Sequence, residues 1–164
     1  MSRSTESLLA SQVMTSSLVC AHPEQDLQEV EQLLIDRRIS GVPVVDKGRL
    51  VGVLSRSDVA RVQVLMNSLD GQVNDRLDWP MQADGFQHGD PPDYDGFRQM
   101  VNRLKVKDAM HEQAITCQPT TPLARVAAIM LYQHTHRVIV VEDDKPVGII
   151  SGLDLVKLLA TGAA

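Results

Sequence analysis

Aromatic residues are almost missing from this chain, making up 3% of its 164 residues. Any core must therefore be assembled from Val, Ile, Leu, Met and Ala. Cysteine is nearly as scarce. Cys20 and Cys117 have no metal-ligand spacing and make no disulfide framework, which points to buried structural thiols and a reducing cytoplasm. Positive charge is also in deficit: 16 Lys and Arg stand against 21 Asp and Glu, for a formal charge of −5. That balance argues against a module living on nucleic-acid backbones. Apolar runs such as Gly41-Val42-Pro43-Val44-Val45 are far too short to cross a bilayer, so no membrane partner is expected. The first residues open onto no long apolar stretch of the signal-peptide kind. No nucleophile–base pair and no Gly-rich phosphate loop stands out, so the expectation is a protein that is not an enzyme and requires no cofactor.

What is present is a hydrophobic content of 43% with 23% charged residues, the balance of a soluble globular protein long enough to bury a core. It also repeats itself. Shifted by 96 residues, the chain matches itself without a gap, with eleven identities in the forty-six pairs from Met14/Met110 to Val59/Leu155. Pro23, Leu27 and Val30 meet Pro119, Leu123 and Val126. Val42, Val44, Val45, Val51, Gly52, Ser55 and Asp58 meet Val138, Val140, Val141, Val147, Gly148, Ser151 and Asp154. Pairs such as Val19/Ile115, Leu33/Ile129 and Val53/Ile149 stay apolar.

Each copy reads as β-α-β-β-α. A short extended piece (Leu18-Val19-Cys20; Ala114-Ile115-Thr116) leads to a proline. A helical spacing follows, on Leu27, Val30, Leu33 and Leu34, or on Leu123, Val126, Ala127 and Met130. Thr121-Pro122 reads as a hydroxyl N-cap followed by a proline in the first turn. Two β-rich runs come next, joined by Asp46-Lys47-Gly48-Arg49 or by Glu142 to Pro146 as hairpin turns. A second helix opens at Ser55 or Ser151. The fold class expected is α+β, with two pseudo-symmetric β-α-β-β-α repeats packed through their small sheets. The divisions are 1–69 for repeat 1, 70–96 for an acidic linker, and 97–164 for repeat 2 with a preceding helix. The linker, with three prolines, four glycines and seven aspartates from Asp70 to Gly96, reads as partly ordered. Phe97, Met100, Val101 and Leu104 mark the helix before repeat 2, with Ser7 to Gln12 as its shorter counterpart before repeat 1.

Ser55-x-x-Asp58 and Ser151-x-x-Asp154 have the spacing of a capping box. The same geometry places a carboxylate beside a helix N-terminus, where a ribose and a phosphate could both be bound. His134 and His136 alternate along a strand entrance, and solvent-facing histidines are the plainer reading than a shared metal. Asp90, Asp93 and Asp95 lack the glycine and distal glutamate of a calcium loop.

Ile39-Ser40-Gly41-Val42-Pro43-Val44-Val45-Asp46 with Leu50-Val51-Gly52-Val53-Leu54-Ser55-Arg56-Ser57-Asp58 resembles the CBS domain family. So does His136-Arg137-Val138-Ile139-Val140-Val141-Glu142 with Val147-Gly148-Ile149-Ile150-Ser151-Gly152-Leu153-Asp154. The resemblance implies a tandem pair, commonly a disc-like homodimer, that binds AMP, ADP, ATP or S-adenosylmethionine between its repeats. It would relay occupancy to a separate, unknown effector protein. It further implies one cleft built from Ser55, Asp58, Ala114, Ile115, Thr135, His136 and Arg137. The other would be built from Ser151, Asp154, Leu18, Val19, Ile39 and Ser40. With Gly41 where the second copy has Arg137, the latter cleft is expected to bind more weakly or stay empty. Arg56 could add a charge nearby. The alternative function is a constitutive dimerisation scaffold with empty clefts. The expected homodimer is joined through the helices bearing Leu27, Val30, Leu33, Leu34, Leu123, Val126, Met130 and Leu131, together with the helices after Ser55 and Ser151.

Overall fold

A computed structural model describes residues 8–69 and 103–162. The acidic segment, its aspartates and the helix expected from Phe97 lie outside the described residues. In chain order the elements are α1 (Ala10–Val13), α2 (Leu27–Asp36), β1 (Gly41–Asp46), β2 (Arg49–Ser55) and α3 (Arg56–Leu69). Then come α4 (Val106–Ala109), β3 (Thr116–Cys117), α5 (Leu123–Tyr132), β4 (Arg137–Glu142), β5 (Lys145–Ser151) and α6 (Gly152–Thr161). The offset of 96 residues read from the sequence carries α1, α2, β1 and β2 onto α4, α5, β4 and β5 without a residue of slippage.

The same physics acts twice. In α2 the residues Leu27, Val30 and Leu34 are buried, and in α5 Leu123, Val126 and Met130 take the same three places. This i, i+3, i+7 stripe packs onto a hairpin, β1 with β2 or β4 with β5, whose first strand is buried at three consecutive positions in each copy. Both hairpins carry a bulge at equivalent places, after Val44 and after Val140. Both turn through two residues of positive φ, Lys47 and Gly48 in the first, Asp143 and Asp144 in the second. Two such residues match the twist of the flanking strands, and aspartate tolerates the left-handed region better than most.

The leading strand is shorter than the sequence implied, and it sits slightly later. In repeat 2 it is Thr116–Cys117, parallel to β4. In repeat 1 it is a single parallel bridge, Ala21 to Val44. The two copies also exchange their leading segments. Ala10 of α1 is buried in the core of repeat 2 with Cys117, Leu123 and Val138. Val106 of α4 is buried in the core of repeat 1 with Leu27, Val42 and Leu54.

This exchange corrects the expected N-cap at Thr121. Pro122, not Thr121, is the N-cap of α5, and it gives no side-chain cap. The Thr121 hydroxyl instead accepts from Gln118 N at 3.0 Å. The first amide of α5, Leu123 N, donates to Leu8 O at 2.7 Å, and Leu27 N of α2 donates to Leu104 O at 2.9 Å. Each copy's first helix therefore satisfies an otherwise orphaned amide on the other copy's leading segment.

Most of the helix face expected to join two chains is spent inside each repeat, Leu131 being the exception. Leu27, Val30, Leu34, Leu123, Val126 and Met130 are all buried in the chain's own cores, because the hairpin and the exchanged segment cover them. Large apolar side chains left exposed include Leu131 and Tyr132 on α5 and Leu153, Val156 and Leu159 on α6. No helix of the described residues is long and apolar enough to cross a membrane.

Candidate functional site

The stretch that joins each β-hairpin to the following helix is shaped by one serine and one aspartate. Ser151 donates to Asp154 Oδ2 twice, from its backbone N at 2.8 Å and from Oγ at 2.6 Å. Ser55 and Asp58 repeat the arrangement at 2.8 and 2.6 Å. Each aspartate thus caps the serine amide with one carboxylate oxygen, and at Ser151 the return bond from Asp154 N to Oγ at 3.3 Å completes the expected capping box. The first amide of each helix is also engaged, since Gly152 N donates to His136 O at 3.0 Å and Arg56 N to Ser40 O at 3.1 Å.

The other carboxylate oxygens differ. Asp154 Oδ1 has Lys157 Nζ as a charged neighbour at 3.8 Å, and the aspartate is 21% exposed at the edge of a broad cleft. Asp58 is 3% exposed. Its Oδ1 lies 2.8 Å from His111 Nε2 and 3.5 Å from Arg61 Nη2. One carboxylate is open and the other is covered.

Two clefts between the repeats follow this difference. The wider, about 660 Å³, brings together Leu18, Val19, Ile39, Ser40, Ser151 and Asp154, the six residues expected for the second cleft. A volume of that size falls within the range of small-molecule sites, about 300–1,000 Å³. The narrower holds about 170 Å³ and is lined by Ser55, Ile115, Thr135 and Arg137, with Gln113 beside them. Of the residues expected there, Asp58, Ala114 and His136 do not line it.

The cleft expected to be the weaker of the two is the larger, and the arginine expected in only one of them lines both. His136 lines only the wider one. The arginine reaches across because its equivalent in repeat 1 is glycine. Its Nη2 donates to Ser40 Oγ, and its Nη1 lies over the open face of Gly41. Burial pulls its guanidinium below the usual arginine range while leaving it a cation.

Arg38 also lines the wider cleft, with Thr15, Ser17 and Ile149. None of these four was singled out from sequence. The signal available was the pairing at the 96-residue offset, Thr15 with His111 and Ser17 with Gln113, small residues against large ones. Arg38 sits at φ 52°, just past the end of α2, and His134 takes the same place after α5 at φ 50°. His134 is therefore in a turn and His136 just ahead of β4, so the two do not alternate along a strand. Arg56 faces a separate groove between α2 and α3, with Glu31, Ile35 and Gln63, and neither cleft. Among the described residues no group of three His, Cys, Asp or Glu could hold a metal ion.

The wider cleft thus combines an apolar wall of Leu18, Val19, Ile39 and Ile149, one carboxylate and two guanidinium-bearing side chains. An apolar wall accepts a flat ring, a carboxylate accepts from a diol, and arginines bind phosphate oxygens.

Comparison with known proteins gives a consistent picture. The model of the CBS domain family matches residues 10–65 and 106–161. An uncharacterized protein of Methanocaldococcus jannaschii is 28% identical over 159 residues, covering 94% of this chain and 92% of that protein. The crystal structure of CBSX2 in complex with AMP superposes with a TM-score of 0.69 at 21% identity, covering 95% of this chain and 98% of the other. The CBS domain pair of protein MJ0100, in complex with 5′-methylthioadenosine and S-adenosyl-L-methionine, gives 0.67 at 21% identity, covering 94% and 97%.

Proposed function

The chain belongs to the CBS domain family, and from that premise we propose that it is a regulatory module sensing an adenine nucleotide in its wider cleft. One observation carries the reading: Asp154, partly exposed, lines a cleft of about 660 Å³ that Arg38 and Arg137 also line. In the proposed pose the adenine lies against Leu18, Val19 and Ile39. The ribose hydroxyls donate to Asp154, and the phosphate meets Arg137 and Arg38. AMP binding by CBSX2 and adenosyl-ligand binding by the MJ0100 pair support the ligand class. The two arginines favour an anionic phosphate over the sulfonium of S-adenosylmethionine, which would bring a positive charge toward them.

Occupancy is relayed to a separate effector protein in the cytoplasm. Two chains pair through the exposed Leu131, Tyr132, Leu153 and Leu159, since apolar side chains grouped on two neighbouring helices mark an interface. Val156 lies on the same helix and lines the cleft, so a ligand there borders the shared surface. A scaffold with empty clefts is the competing reading.

A thermal-shift screen with AMP, ADP, ATP and S-adenosylmethionine separates the two. A ligand that binds only the folded chain raises the unfolding temperature, and saturation at 100 Kd adds about 2.7 kcal/mol. No shift with any of the four would favour the scaffold.

A further inference from the structure

We propose that His111 closes the narrower cleft to a nucleotide by holding the carboxylate of Asp58, so that each chain holds one nucleotide rather than two. The inference rests on the function proposed above, but it comes from a different set of contacts. The 96-residue offset pairs His111 with Thr15. Both sit on the exchanged segments and pair through their backbones with an equivalent strand residue, His111 with Val53 and Thr15 with Ile149. The backbone therefore delivers both side chains to the same place beside the two serine–aspartate pairs.

The side chains do different things there. Thr15 is short and lines the wider cleft next to Asp154. The His111 ring reaches Asp58, setting Nε2 2.8 Å from Oδ1 while Ser55 already fills Oδ2. Arg61 stands 3.5 Å from the same Oδ1. Both oxygens of Asp58 are thus engaged within the chain, and the carboxylate is 3% exposed. A ribose diol would have to displace the imidazole to be read by Asp58. With the imidazole in place the cleft, which Gln113 lines where repeat 1 has Ser17, holds about 170 Å³, below the range of about 300–1,000 Å³ typical of small-molecule sites. Thr15 against His111, and Ser17 against Gln113 two residues on, distinguish a cleft of about 660 Å³ from one of about 170 Å³.

Calorimetric titration with AMP tests this on four full-length proteins: wild type, His111→Thr, His111→Asn, and His111→Thr combined with Asp58→Asn. His111→Thr installs the residue that repeat 1 already uses. His111→Asn is the second variant should threonine fail to fold, and each variant is first checked by its melting curve. The expected result is one AMP per wild-type chain and two per His111→Thr chain. The added site should bind at least tenfold more tightly than any second event in the wild type, and Asp58→Asn should abolish it.

Two sites in the wild type, or one site in both folded His111 variants, would overturn the closure while leaving the proposed function intact. No AMP on the wild type with one site on His111→Thr would overturn the reading of the wider cleft and leave the closure standing. No AMP on any of the four overturns both.

Discussion

Gly41 and Arg137 hold the same position in the two repeats, and the guanidinium of the second lies where a side chain on the first would go. A Cβ placed on Gly41 would stand 2.8 Å from Arg137 Nη1 and 2.8 Å from the backbone oxygen of Leu54. The arginine can yield, but the strand backbone cannot move cheaply. Gly41→Ala should therefore destabilise the fold by about 1–3 kcal/mol, the usual cost of forcing a methyl into a packed site. Denaturant unfolding measures it, and an unchanged midpoint would contradict the close approach.

Arg137→Ala should tell phosphate from nucleoside. A hydrogen bond between charged partners is worth about 1.5–3 kcal/mol, so AMP affinity should fall about tenfold or more while adenosine affinity barely moves. Equal losses for the two ligands would place the arginine elsewhere than at the phosphate.

Arg38 and His134 both end a helix in the left-handed region, where glycine is the unstrained choice. His134→Gly should gain about 1 kcal/mol of stability without affecting AMP binding. Arg38→Gly should relieve the same strain yet weaken AMP. Melting curves and calorimetry on the pair check this, and unaltered AMP affinity in Arg38→Gly would remove Arg38 from the site.

Much of this was legible in the sequence because repetition is a property of the whole chain. The offset placed the helices, the hairpins and both serine–aspartate pairs, since Val42, Val44, Leu27 and Val30 are constrained by burial in either copy. The leading segments were not legible in the same way. Ala10 and Val106 enter each other's repeats, and no local pattern says which core a short apolar segment will join. The expected N-cap at Thr121 failed for the same reason, since Leu8 from the other copy supplies the acceptor. The unequal size of the two clefts was not legible either, because Thr15, Ser17, His111 and Gln113 lie outside the motif that carries the resemblance.

Thiol labelling separates the two cysteines, since Cys20, expected to be buried like Cys117, lies at the surface. Cys20 is exposed and Cys117 is buried, and burial pushes both thiols up from the usual cysteine range. The thiolate is the reactive form, so Cys20 should label slowly near neutral pH and faster as pH rises. Cys117 should label only when the chain unfolds. Two equally fast thiols in the native protein would contradict the core of repeat 2.

Whether Asp154 or its equivalent Asp58 reads the ribose is decided by calorimetric titration of AMP into wild type, Asp154→Ala and Asp58→Ala. Asp154→Ala should lose about tenfold or more in affinity, while folded Asp58→Ala should bind AMP in the wider cleft about as the wild type does. Unchanged affinity in Asp154→Ala, or a loss confined to Asp58→Ala, would contradict the assignment to Asp154.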